Sequence, residues 1–404
     1  MKKIISKLMG GVLLFSLSMS LTSCEGALDD ILGEWSRPTP GSSTGGAGTV
    51  TSISIDPTLA LKVGETGQLT AKVDPAGTAV TWSSDQEEVA TVDANGLVTA
   101  VAMGTAIITA KAGDKTATCE VTVTPGLATP LTVEAITQGK ITVTDPQSGM
   151  KYSKDGGVTK INISGDVNIS VAAGDKVAFY GTATCYKGTR IRGADDGGTF
   201  KCKVYGNIMS LLYEDFATNY NTLPADYTFK YLFNGNTKLT DASGLLLPAT
   251  TLKENCYEEM LSHCTNLAAA PKELPAPTLA EYCYCFMFYD CEALTETPKL
   301  PATTLASDCY RYMFYGCKAL TETPKLPATN LASDCYEAMF MSCTSLTTAY
   351  VKAAYNNYNC NLMFNGCTAA GTKTLHTTTA NKESWDNVMP STWGGWGTAD
   401  DWTD

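Results

Sequence analysis

In the second half of the chain, apolar residues fall at fixed offsets. Across Cys309–Cys317 they are Cys309, Tyr310, Met313, Phe314 and Cys317, which lie four and eight residues on from two adjacent starts. That spacing predicts the apolar stripe of a short helix, with Ser307-Asp308 as its N-cap and Gly316 at its end. Leu320 to Pro327 then alternates apolar and polar residues between prolines, which predicts a short extended rung.

The unit repeats. Its second cysteine recurs at Cys264, Cys291, Cys317, Cys343 and Cys367, in steps of 27, 26, 26 and 24 residues, and its first at Cys256, Cys283, Cys309 and Cys335. Ala293 to Pro301 is nearly duplicated at Ala319 to Pro327. A constant period of this length predicts a solenoid of stacked supersecondary units that bury their apolar faces against one another. Departures mark both ends: Asn236 replaces the second cysteine in the first unit, and Cys360 takes a tyrosine slot in the last.

Upstream the period changes to two. Ser52-Ile53-Ser54-Ile55, Leu97-Val98-Thr99-Ala100-Val101 and Cys119-Glu120-Val121-Thr122-Val123 alternate, broken by turn pairs such as Asn95-Gly96; this predicts an antiparallel sandwich over 49–126. Residues 127–222 are again β-rich and are expected to form a second sandwich-like domain, ahead of a solenoid at 223–370 and an aromatic-rich cap at 371–404. The fold class is therefore multidomain: an immunoglobulin-like β-sandwich, a second β-rich domain, then repeats of short helices and strands.

Two resemblances sharpen this. Val63-Gly64-Glu65-Thr66, Val80-Thr81-Trp82-Ser83-Ser84, Val89-Ala90-Thr91-Val92-Asp93 and Asn95-Gly96-Leu97-Val98-Thr99-Ala100 closely resemble the bacterial immunoglobulin-like group 2 domain. That family mostly supplies spacers and adhesive stalks, and the resemblance places Trp82 and Cys119 in the interior. The order M-F-x-x-C-x-x-L followed by L-P-A-T-x-L, from about Phe229 to Cys367, resembles leucine-rich repeats of the Bacteroides surface protein A type. This implies strands on one face of each coil and helices on the other.

The amino end has a basic head, Met1-Lys2-Lys3, and a short apolar run at Val12 to Phe15, followed by Leu21-Thr22-Ser23-Cys24. This reads as an export signal over 1–23, too short to span a membrane. Leu21 to Cys24 resembles a bacterial lipobox, which implies acylation of Cys24 and an outer-membrane, surface-exposed location. The stretch 24–48, with Arg37 to Gly46 rich in Pro, Gly, Ser and Thr, is a flexible tether.

The net charge of −12 opposes binding to phosphate backbones, so nucleic acid is not an expected partner. The chain has fifteen cysteines, fourteen without Cys24. On a helix the two cysteines of one motif would lie about 12 Å apart along the axis, and stacked helices sit roughly 8 to 10 Å apart. Both exceed the roughly 7 Å Cα limit of a disulfide. Cys256, Cys264, Cys283, Cys291, Cys309, Cys317, Cys335, Cys343 and Cys367 are therefore read as a buried packing ladder, with a possible disulfide reserved for Cys185 and Cys202.

Catalytic and metal chemistry finds little support. His263 occupies a variable loop slot, and its neighbour Cys264 belongs to the ladder, which removes a cysteine–histidine dyad. Cys283-Tyr284-Cys285 is a poor zinc pair, Asp195-Asp196 lacks the spaced oxygens of a calcium loop, and Gly41 to Gly45 matches G-x-S-x-G without its strand and helix. No cofactor and no metal are expected. The C-terminal Trp385, Trp393, Trp396 and Trp402 read as a packed cap or as a sugar-stacking platform.

A binding face is the better candidate. Glu296, Thr297 and Lys299 of one rung should lie beside Glu322, Thr323 and Lys325 of the next, giving polar rows for an extended ligand; a solvated face of compensating charges is the alternative. The expected protein is a monomeric, non-catalytic adhesion or binding protein, lipid-anchored at the cell surface, that engages a host or bacterial protein or glycan. A structural part of a surface assembly and a polysaccharide hydrolase remain as alternatives.

Overall fold

The computed structural model describes residues 49–101, 104–194, 199–389 and 396–403. The signal, Cys24 and the tether lie outside them, as do Asp195, Asp196 and Trp393.

Alternation in the first β segment produces a sandwich. Thr58–Lys62, Lys115–Thr124, Gly104–Ala112 and Thr81–Ser84 form one sheet in that order, and Thr66–Gln68, Leu97–Ala100 and Ala90–Val92 form a second. Ile108, Cys119 and Val121 are fully buried between them, with Trp82 packed at the margin. The Asn95-Gly96 turn forms as expected. Gly96 has φ +82°, and a Cβ there would sit 2.6 Å from the Leu69 carbonyl and 2.8 Å from the Trp82 ring; only glycine fits.

The next segment is also a sandwich, but it does not end where the repeats begin. Its larger sheet runs Ile161–Asn162, Lys151–Ser153, Lys176–Tyr180, Thr132–Ala135, Cys202–Asn207, Leu239–Leu246, and the last pairing is parallel. Leu239–Leu246 is already the first rung of the repeats. Parallel bridges then join Asp241 to Ala269, Ala269 to Glu296 and Glu273 to Lys299. Farther on, Glu322–Leu326, Thr348–Val351, Lys373–His376 and Trp396–Ala399 form a parallel sheet. One apolar core extends from Leu131 to Trp396, while the first sandwich keeps its own.

The expected helices of the repeats are absent. In their place stands a string of turns with a left-handed residue every fourth position: Tyr282, Phe286 and Asp290 have φ of 53°, 55° and 54°. Backbone N–H groups alternate in destination. Those of Cys283, Cys285, Met287 and Tyr289 bond three residues back, and those of Tyr284, Phe286, Phe288 and Asp290 donate to the next coil at 2.8–3.0 Å. The physical reason is the rung spacing. Rungs paired as strands lie about 4.8 Å apart, whereas packed helices need roughly 8–10 Å; a turn string stacks at the tighter pitch and keeps half its donors for the neighbouring coil. Among the described residues the one α-helix is Thr379–Asp386, in the C-terminal cap.

The inward stripe itself is where the pattern put it. Phe229, Tyr257, Tyr284, Tyr310 and Tyr336 stack ring on ring at 5.7–6.2 Å. Phe288, Phe314, Phe340 and Phe364 stack at 5.3–5.8 Å. The nine ladder cysteines are buried and carry free thiols. The helical spacing argument against their pairing fails at this pitch, but each second cysteine has another partner. The Sγ of Cys264, Cys291, Cys317, Cys343 and Cys367 donates to the carbonyl of Phe233, Leu261, Phe288, Phe314 and Phe340 in the preceding coil, at 3.1–3.3 Å.

Cys185 and Cys202, the possible disulfide pair, are free as well. Cys185 Sγ donates to the Tyr227 carbonyl of the first coil at 3.4 Å, and Cys202 is fully buried in its strand. The segment carrying Cys185 serves as a lid on the coils: Tyr186 stacks on Phe229, and Asn236 accepts from Gly193 N–H and donates to the Ile191 carbonyl. At the other end Trp385 and Trp396 are buried beside Phe364. Trp385 Nε1 donates to the Ala353 carbonyl at 2.9 Å.

Candidate functional site

The outward side of the rungs forms a face because neighbouring rungs pair in parallel, by bridges from Asp241 through Ala269 to Glu296 and as a sheet from Glu322–Leu326 to Trp396–Ala399. Of the six residues expected on it, Glu296, Lys299, Glu322 and Lys325 are exposed and Thr297 is half-buried. Thr323 is not available to a ligand: it is 3 % exposed, and its hydroxyl accepts the Tyr350 N–H at 3.0 Å. Threonine serves there as a tie between rungs.

The register adds residues that the repeat text did not reveal. Lys325 pairs with Tyr350, and Tyr350 with His376; the Tyr350 and His376 rings stack at 4.7 Å. His376 Nδ1 lies 2.6 Å from Asp401, and this hydrogen bond holds the Asp401 carboxyl below its ordinary range. Lys325 Nζ donates to the Thr403 carbonyl at 2.7 Å, and both Lys325 and Lys352 sit within 6 Å of the Trp402 ring. Trp402 thus lies on the rung side, while Trp385 and Trp396 pack the cap.

At its other end the face deepens into a cleft of about 740 Å³. Its floor is Lys203 to Tyr205, Asp241 and Ser243 to Pro248, with Lys272, Glu273 and Pro275 of the next coil; its wall is Lys62, Thr105 and Thr122 to Pro125 of the first sandwich. Burial, and then the Glu134 carboxylate, push the Tyr205 phenol up. Lys203 pairs with Glu134 at 3.1 Å. Apolar floor with a few charged groups is the make-up of a ligand site. Sequence reasoning missed it because its parts are distant in the chain; the parallel pairing of Cys202–Asn207 with Leu239–Leu246 assembles the floor.

Groups considered for chemistry point apart. His263 is exposed, with Nδ1 3.6 Å from Asp290, while Cys264 faces the core. Cys283 and Cys285 are both buried, and burial pushes both thiols up. Among the described residues no group of three or more His, Cys, Asp or Glu side chains is placed to hold a metal ion.

Comparison with known proteins finds similarity over short stretches. The chain is 56 % identical over 69 residues to a lacto-N-biosidase of Bifidobacterium bifidum, a match covering 16 % of this chain and 6 % of that protein. It is 49 % identical over 61 residues to a 3-O-alpha-D-galactosyl-alpha-L-arabinofuranosidase of Bifidobacterium longum subsp. longum, covering 14 % and 5 %. The chain therefore spans about one-twentieth of the length of these relatives. Residues 49–123 match a named family, the bacterial Ig-like domain (group 2), and the sandwich at the head of this chain is a domain of that kind.

Proposed function

We propose that the chain is a non-catalytic binding protein of the cell surface, in which the Ig-like domain and the outward rung face together hold an extended ligand. The observation that carries this reading is the face itself: exposed Glu296, Lys299, Glu322 and Lys325 lie on it, and it runs into a cleft of about 740 Å³. Two successive rungs present the same Glu and Lys groups, which suits an extended partner better than a single small substrate.

The finer parts of the proposal rest on sequence. Cys24 is the lipidation site, 24–48 the tether, and the outer membrane the location. The repeats are leucine-rich repeats of the Bacteroides surface protein A type, built on turn strings rather than helices. The ligand is a glycan or protein of a host or neighbouring cell, and the names of the two bifidobacterial relatives favour the glycan.

The test is a broad glycan and host-protein binding array with the chain from residue 25 onward, beside the variant with Glu296, Lys299, Glu322 and Lys325 all changed to alanine. Binding that the variant loses by about tenfold or more supports the reading. An array with no binder favours a structural surface component instead. A polysaccharide hydrolase is the second reading, favoured by the two glycosidase matches. Turnover of a polysaccharide that disappears in Asp401→Asn, or on changing any other carboxylate of the face, would establish it against ours.

A further inference from the structure

On the outer side of the turn strings, away from the rung face, four half-buried rings form two stacked pairs. Phe286 lies on Tyr312 with centroids 4.9 Å apart and planes 2° from parallel; Tyr289 lies on Tyr315 at 4.6 Å and 5°. The two pairs lean together, at 5.5 Å between Phe286 and Tyr289 and 5.9 Å between Tyr312 and Tyr315.

Coil stacking does not demand these rings. The same two slots hold Glu259 and Ser262 in the coil before, and Ala338 and Met341 in the coil after. Phe286 and Tyr312 moreover sit at φ of 55° and 53°, a backbone region that disfavours bulky side chains. Aromatic residues concentrated on an outer surface, in positions where smaller residues suffice, mark an interaction surface.

Ring geometry and charge define the partner. Stacking covers one face of every ring, the His263 ring edge meets Tyr289, and the Arg311 guanidinium lies over Tyr312. The half-buried rings present edges and phenol oxygens, which suit aliphatic and hydrogen-bonding side chains. The nearby cations are already engaged: Lys230 with Glu258 at 2.5 Å, Arg311 with Glu337 at 2.7 Å and Asp308 at 3.1 Å, and Lys318 with Glu292 at 2.8 Å. Glu259, one coil below Phe286, has no lysine or arginine at ion-pair distance among the described residues, while Asp290, beside Tyr289, faces the exposed His263 ring at 3.6 Å. The surface is aromatic with spare negative charge.

We propose that this ring cluster docks a polypeptide partner whose contacting segment carries lysine or arginine among aliphatic side chains. The site is separate from the rung face and does not depend on what that face binds.

The test uses the chain from residue 25 onward on an array of short synthetic peptides of varied sequence, with a glycan array in parallel. The comparison protein carries Phe286→Glu, Tyr289→Ser, Tyr312→Ala and Tyr315→Asn, each a residue that the chain itself uses in that slot, at Glu259, Ser262, Ala338 and Asn365. If the fourfold variant does not fold, Tyr289→Ser with Tyr315→Asn serves as the comparison. Expected are bound peptides rich in Lys or Arg with aliphatic neighbours, with binding that falls about tenfold or more in the variant and weakens as salt rises. The proposal is overturned if no basic peptide binds, if the variant binds as well as the parent, or if the rings prove to be needed for a glycan instead.

Discussion

A cysteine at the closing position of each coil meets two demands at once. The Phe288 carbonyl takes the Cys291 N–H from its own turn and the Cys317 thiol from the next coil, so both of its lone pairs are used; the sulfur also fills apolar space. Burial pushes the thiols of Cys256, Cys264, Cys309 and Cys367 up to about 12 from an ordinary 9.0, and those of Cys291, Cys317 and Cys343 well above it. A raised folded pKa on an acid group means stability that is complete below the unfolded value and is lost as pH rises from about 9 toward 12. Denaturant midpoints measured across that window should fall with each step in pH. In the same folded protein, iodoacetamide at about pH 8 should modify Cys185, the half-buried thiol, and reach the ladder only after unfolding. Asn236, which takes the cysteine's place in the first coil, is 2 % exposed and hydrogen-bonds across to Gly193 and Ile191. Asn236→Ala should cost about 1–3 kcal/mol in a urea titration, because buried groups on the capping strand lose their partner.

At the scale of the element, the turn string shows what the repeat text made legible and what it hid. Inward positions such as Cys309, Tyr310, Met313, Phe314 and Cys317 were readable because both a helix and a four-residue turn string bring them to one side. The backbone was hidden because a spacing of four residues also fits one helical turn of about 3.6 residues. Asn255, Asp290, Asp308 and Asp334, all at positive φ, belong to residue types that tolerate that conformation and were the available signal; Phe286 and Tyr312 at positive φ gave no such hint. The alternation of N–H groups between own coil and next coil was not in the letters, since it follows from the pitch that rung pairing imposes. Stacked rings now carry the element. Phe314 lies between Phe288 and Phe340 at 5.3 and 5.5 Å, so Phe314→Ala should destabilise by roughly 3–5 kcal/mol. Calorimetry checks this, and a loss below about 1 kcal/mol would mean that the coils do not stack as described.

At the scale of the molecule, the second sandwich and the repeats share one core from Leu131 to Trp396, although a change of pattern near residue 222 suggested two domains. Periodicity marks where elements change type; it does not mark where packing stops, and here a sheet passes from one to the other through Leu239–Leu246. The same continuity joins the polar rows read from the repeats to a cleft that no local sequence feature announced. Half of the candidate site was therefore visible as Glu296, Lys299, Glu322 and Lys325, and half, including Tyr350, His376 and the Asp241–Pro248 floor, waited on register. The central claim is that ligand lies along this face and in its cleft. Amide hydrogen exchange, measured with and without the tightest binder from the glycan and protein array, tests it directly. Slowed exchange at 203–205, 241–248, 272–275 and 296–299 is the expected result, and protection confined to other segments would contradict the account.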